Sequence, residues 1–221
     1  MKTVDFRPEI LDDKLFYKII DLIKTEKPRS IIEIGSATGL GSTQAFIRGI
    51  RESGANSTLC CIESVLPRYN ALVANTSKYG FVRQIRASSV PSTSLMTEQQ
   101  IDEFWHQNPN LNIRQYSLEM IKSWRTEDIQ EAADIPHNGI KIAKEILGCD
   151  VPEMALIDGS AFSGYAELIE LWGTKIIILD DVMDIKNLSS YKKLSMDESY
   201  VMIEEDRSYR NGYAVFKTAG G

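Results

Sequence analysis

The sequence predicts an α/β fold, a doubly wound and mostly parallel sheet closed by an antiparallel hairpin at the C-terminal end. Three observations predict it. Short apolar runs that finish on glycine or an acid alternate with segments of helical periodicity, the pattern of a parallel sheet whose strands are covered on both faces. The tail then changes character, with SYVMIEE and GYAVFKT strand-like on either side of DRSYRN, where Asn211-Gly212 can make a turn. Over 221 residues, 43% hydrophobic and 25% charged, the composition suits one sizeable core and excludes wholesale disorder. The expected organisation is a single domain over 1–221.

Residues 9–26 place Ile10, Leu11, Leu15, Ile19, Ile20 and Ile23 near one helical face, and Pro28 stops that leading helix. SIIEIG, 30–35, is a β-branched run closed by glycine and gives the first strand. Residues 42–53 can form a helix, and TLCCIE, 58–63, is a second strand ending on an acid. A helix over 67–79 and a strand over 81–87 follow; Arg83 and Arg86 place that third strand at a sheet edge. Helix 140–147 leads to the fourth strand, EMALIDG at 153–159. Helix 165–172 leads to the fifth, TKIIILDD at 174–181. With the two hairpin strands the sheet has seven, one of them reversed, and its parallel crossovers are right-handed.

Residues 91–136 break this alternation. They carry Trp105, Tyr116 and Trp124 in polar, helical segments, and a structureless loop of that length would be unusual, so an ordered insertion or lid is expected there. The formal charge of −6 gives no basic footprint for nucleic acid. No apolar stretch approaches the ~20 residues that span a bilayer, and the acidic opening lacks the apolar core of a signal peptide, so a cytoplasmic protein is expected. Three cysteines, two of them adjacent at Cys60 and Cys61, make neither a disulfide framework nor a zinc spacing. The two histidines, His106 and His137, lie in or beside the insertion and read as structural.

The stretch 33–41, EIGSATGLG, leaves a strand and enters a helix. Glycines there permit positive φ and close approach to a ligand, and a helix N-terminus offers free N–H groups. The spacing G-x-x-x-G-x-G differs from the dinucleotide fingerprint G-x-G-x-x-G, which argues against a nicotinamide oxidoreductase. Glu63 ends the second strand, where a carboxylate can accept from both hydroxyls of a ribose. E-x-G-x-x-x-G-x-G followed by a strand-terminal acid resembles the class I S-adenosylmethionine-dependent methyltransferases, Rossmann-like proteins with a seven-stranded sheet. The resemblance covers the chain outside 91–136. It implies S-adenosylmethionine as cofactor, bound by Glu33, Gly35, Ser36, Gly39, Gly41 and Glu63, with Ser88 or Ser89 near the adenine.

Asp158 ends the fourth strand and Asp180 and Asp181 the fifth, so all three should gather at the carboxyl edge of the sheet. Clustered carboxylates repel unless something positive joins them, and oxygen ligands suit Mg²⁺. The segment IDGSAFSGYAELIELWGTKIIILDDV resembles small-molecule O-methyltransferases related to macrocin O-methyltransferase and to cephalosporin hydroxylase-like proteins. That resemblance implies a metal site at Asp158, Asp180 and Asp181, with Asp158 and Asp180 catalytic. Two features depart from it. Ser160, Ala161 and Phe162 follow Asp158-Gly159 where the relatives usually carry a histidine, and Gly173-Thr174-Lys175 is a shorter turn than their glycine pair. On the residues alone, Asp158 as a helix cap and Asp180-Asp181 as a solvated loop remain the alternative. The expected function is methyl transfer to a hydroxyl of a small-molecule acceptor with metal assistance, and the missing histidine favours the alternative of a non-catalytic binding or scaffolding protein. No nucleic-acid or membrane partner is expected; a homodimer is left open.

Overall fold

The computed structural model describes residues 8 and 10–220. Its sheet has seven strands in the order β3-β2-β1-β4-β5-β7-β6. These are β1 Ser30–Ile34, β2 Thr58–Glu63, β3 Val82–Arg86, β4 Met154–Ile157, β5 Ile176–Asp180, β6 Tyr200–Asp206 and β7 Tyr213–Thr218. The first five pair in parallel, and β7 runs antiparallel to both β5 and β6. β7 is the one reversed strand, and β3 and β6 are the edges. The strand order turns back between β1 and β4, which opens a crevice beyond their carboxyl ends.

Eight helices cover the faces among the described residues: α1 Lys14–Glu26, α2 Ser42–Ser53, α3 Leu66–Thr76, α4 Glu98–Gln107, α5 Leu118–Ala132, α6 Gly139–Leu147, α7 Gly164–Glu170 and α8 Leu188–Ser195. Successive side chains on a strand point to opposite faces, and the core divides accordingly. Ile31, Leu59, Leu156 and Ile178 pack with Leu15, Ile19, Ile23 and Phe46 of α1 and α2. Ile32, Ile62, Ile157 and Ile177 pack with Ile140 of α6 and Leu168 of α7 on the other side.

The leading helix starts later than periodicity suggests. Residue 9 lies outside the described residues, and α1 begins after Asp13, whose carboxylate caps it by accepting from the Phe16 N–H at 2.8 Å. A capped start outranks an apolar pattern; Leu11, upstream of the cap, is left exposed. The strands around the crevice are also shorter than their apolar runs, so Asp158 and Asp181 lie just past β4 and β5. α8 has no counterpart in the sequence reading. No described helix is long and apolar enough to cross a membrane.

Within 91–136, Ile101 and Phe104 of α4, Ile121 of α5 and Ile113 between them pack against Phe162, Ile185 and Leu188. The two ends of the segment meet at one residue just past β3. The Ser88 N–H donates to the Pro136 carbonyl at 3.0 Å, and the Ser88 carbonyl accepts from Asn138 and Gly139 at 3.1 and 2.7 Å. Trp105 lies under the Arg114 guanidinium, and Tyr116 meets Trp124 edge to face with centroids 4.9 Å apart. His106 and His137 are exposed.

Candidate cofactor site and carboxylate cluster

Beyond the ends of β1, β2 and β4 lies a cavity of about 180 Å³. Its floor is the glycine loop. Gly35 and Gly39 have φ of 82° and 72°, and Ala37 between them has φ of 46°. At Gly35 the backbone passes so close to β4 that a Cβ would lie 1.9 Å from the Asp158 carbonyl oxygen. Gly39 faces Leu72 and Thr76 of α3, and Gly41 faces Pro8 and Ile10. These two glycines admit neighbouring protein, whereas Gly35 and Ala37 line the cavity.

Glu33 stands apart from the cavity. Fully buried, its carboxylate accepts from the hydroxyls of Ser36, Ser42 and Thr43 at 2.8, 2.7 and 2.7 Å. It fastens both sides of the glycine loop to β1, and the Ser36 hydroxyl is used in that bond. The sequence motif therefore holds two kinds of residue, those that shape the loop from behind and those that face the cavity.

Glu63 faces the cavity and is held at both oxygens, accepting from the N–H of Ala37 at 2.9 Å and of Val65 at 2.7 Å. A carboxylate has about four lone-pair directions, so these two bonds orient the group and leave acceptor capacity for a ligand. Burial pushes its pKa up from the ordinary 4.5, against the pull of the Val65 N–H, the Arg68 charge and the Ala37 N–H. Ser88 and Ser89 line the same cavity, but their hydroxyls donate to the Val90 carbonyl at 2.7 Å and to the buried Glu167 carboxylate at 2.5 Å.

The insertion closes the remaining wall. Asp128, Glu131 and Ala132 of α5 line the cavity, and the Asp128 carboxylate accepts from the Ser160 hydroxyl. Sequence reasoning missed these residues because nothing in a polar helix marks which turn will meet a crevice. Among the described residues, Glu63, Asp128, Glu131 and Asp158 give the lining four carboxylates against one guanidinium, that of Arg68. Burial raises the pKa of Asp128, in part offset by the Ser160 bond.

Beside the cavity the three strand-end aspartates come together, with one carboxylate oxygen from each of Asp158, Asp180 and Asp181 inside a 4.8 Å group. Two cations join them. The Lys186 ammonium lies 2.7 Å from Asp158 and 2.6 Å from Asp181. Arg210, from the β6–β7 connection, grips Asp180 through two nitrogens at 2.8 and 3.2 Å and reaches Asp13 at 3.3 Å. Asp180 is turned inward and nearly inaccessible, whereas Asp158 also lines the cavity. Burial drives the Asp158 carboxyl upward against the attraction of Lys186, and burial together with the Asp181 charge raises Asp180 against Arg210. For Lys186 burial works against the charge, but Asp158, Asp181 and Asp180 outweigh it and hold the ammonium well above the ordinary lysine range.

No family model and no curated protein matches the chain. Solved structures do. A putative caffeoyl-CoA O-methyltransferase from Staphylococcus aureus aligns over 95% of this chain and 85% of its own, with 16% identity and a TM-score of 0.55. An O-methyltransferase from Bacillus cereus in complex with SAH aligns over 97% and 84%, at 11% identity and a TM-score of 0.56. The O-methyltransferase TomG from Streptomyces achromogenes, involved in tomaymycin synthesis and solved with SAM, aligns over 95% and 82%, at 13% identity and a TM-score of 0.55. The chain has the Rossmann-like fold of the class I methyltransferases. Solved structures that share it include O-methyltransferases.

Proposed function

We propose that this protein transfers a methyl group from S-adenosylmethionine to an oxygen of a small-molecule acceptor. The observation that carries the reading is the Glu63 carboxylate, pinned by two backbone N–H groups at the strand end with its remaining lone pairs available to the cavity. It suits the two adjacent hydroxyls of a ribose. The excess of carboxylates in the lining suits a cationic ligand and would repel the phosphates of a dinucleotide. The fold shared with O-methyltransferases supports the same choice.

S-adenosylmethionine, when bound, supplies an electrophilic methyl group on a positively charged sulfonium. Glu63 holds the ribose, the backbone at Gly35 and Ala37 forms the floor, and the Asp128 and Glu131 carboxylates of α5 supply negative charge on the cavity wall. Transfer of this kind depends mainly on holding two reactants in line. For Mg²⁺ the donors are right in kind, three carboxylates, but the Lys186 ammonium on two of them stands against a resident divalent ion. The absence of a histidine after Asp158 favours a second reading, a cofactor-binding protein without catalysis.

Calorimetry with S-adenosylhomocysteine tests the assignment. Glu63→Ala strands two hydroxyls without an acceptor and should weaken binding by about 1–3 kcal/mol, roughly five- to 150-fold. No binding by wild type, or unchanged binding by a folded Glu63→Ala, overturns it. Mass spectrometry of acceptor mixtures incubated with S-adenosylmethionine separates the two readings, since only the enzyme yields methylated product.

A further inference from the structure

The carboxylate cluster at the ends of β4 and β5 already contains a cation. The Lys186 ammonium is 2.7 Å from Asp158 Oδ1 and 2.6 Å from Asp181 Oδ2, so it bridges the two carboxylates that a metal would have to bridge. We infer that Lys186 replaces a divalent cation in this protein, which binds no metal at Asp158, Asp180 and Asp181. The inference deepens the methyltransferase reading and rests on it for its meaning, though not for its test.

The argument is one of space and charge. Mg²⁺ binds carboxylate oxygens at about 2.0–2.1 Å in near-ideal octahedral geometry. An ion on Asp158 Oδ1 and Asp181 Oδ2 would fall where the ammonium now sits, and its double charge would face a single one at contact distance in a poorly hydrated place. The two cannot share the site. Leaving is also costly for the lysine, since its side chain is only 16% exposed and would exchange a charge-assisted hydrogen bond to Asp158 and an ion pair with Asp181 for solvent. The third carboxylate is less available still, because Arg210 holds both oxygens of Asp180, whose side chain is 2% exposed. A metal would therefore have to expel one cation and compete with another.

The placement links this cluster to the cofactor cavity. Asp158 belongs to both, so the Lys186 ammonium is one hydrogen bond from the cavity wall. An ammonium has three donors, and one is given to Asp158 while Asp181 pairs with the charge. An acceptor oxygen brought to this edge would meet an N–H donor where a metal-dependent enzyme offers a Lewis acid.

Mn²⁺ is the probe, followed by electron paramagnetic resonance of the purified full chain with S-adenosylhomocysteine present. The expected result is that wild type leaves millimolar Mn²⁺ free, and that Lys186→Met, which removes the ammonium and keeps the stem, takes up one equivalent. Asp181→Asn added to Lys186→Met should abolish that uptake. Binding of one equivalent by wild type, lost in Asp158→Asn, overturns the inference, as does a folded Lys186→Met that still leaves Mn²⁺ free. If Lys186→Met does not fold, the wild-type titration alone decides. Calorimetry of S-adenosylhomocysteine on the same wild-type sample reads the cofactor assignment separately, so failure of one is distinguishable from failure of the other.

Discussion

Replacing Gly35 by alanine should damage the protein through a contact that the backbone angle alone does not reveal. At φ of 82°, an added side chain costs about 1–2 kcal/mol for the left-handed conformation. The Cβ would also lie 1.9 Å from the Asp158 carbonyl oxygen and 2.6 Å from its carbon, where real Cβ atoms essentially never come within 3.0 Å. The ends of β1 and β4 must then part by roughly an ångström, which breaks the bond from the Asp158 N–H to the Ile34 carbonyl, now 3.2 Å. A buried pair left unmade adds about 1–3 kcal/mol, for a total of about 2–5. At about 2–4 °C per kcal/mol for a chain of this size, the midpoint of thermal unfolding should fall by about 4–20 °C. Gly54 is the control, with φ of 62° and nothing within 4 Å of its added Cβ, so Gly54→Ala should lose only the conformational part. Urea unfolding followed by circular dichroism measures both. Equal losses in the two variants would refute the claim that close approach of β1 and β4 demands glycine at 35.

Two other outcomes follow from buried carboxylates. The ionised form of Glu63 accepts from ribose hydroxyls and its pKa lies above the ordinary 4.5, so S-adenosylhomocysteine affinity should be full above that raised value and fall as pH drops through it. The free protein has the opposite sign, because a raised carboxyl contributes stability below 4.5 that is lost as pH rises through the folded value; calorimetry and urea titrations across that window should slope in opposite directions, and parallel slopes would count against Glu63. Glu33→Ala deprives three buried hydroxyls of their common acceptor and should cost on the order of 3 kcal/mol in urea unfolding, whereas a loss under about 1 kcal/mol would show that the glycine loop does not depend on it.

What the sequence disclosed depended on how strongly each segment is buried. β2 and α2 fall at the residues their patterns predict, and β1, β4 and β5 lie within their apolar runs, because strands covered on both faces are mostly apolar along their whole length. α8, reading LSSYKKLS, carries too few apolar residues over too short a span to show a period. The strand-end acids were legible for the same reason as their strands, so Glu63 and the aspartate cluster could be placed from topology. Their cations were not. Lys186 sits in an irregular stretch after β5, and Arg210 lies 30 residues beyond Asp180 in the hairpin connection, so only the folded chain brings them to the carboxylates. The roles at the glycine motif were mixed in the same way: only the folded chain separates Glu33, which fastens the loop from behind, from Ala37 and Glu63, which face the cavity.

The paired attachment at Ser88 has an evolutionary side. The segment that supplies one wall of the cavity departs from and returns to the backbone of one residue, and its own packing is on Phe162, Ile185 and Leu188, beyond the strand ends. Loop-closure entropy grows only slowly with length. Descendants of this fold can therefore lengthen, shorten or exchange the segment that carries Asp128 and Glu131 while β1 to β5 keep their register, and new pocket walls can be tried without refounding the scaffold beneath them.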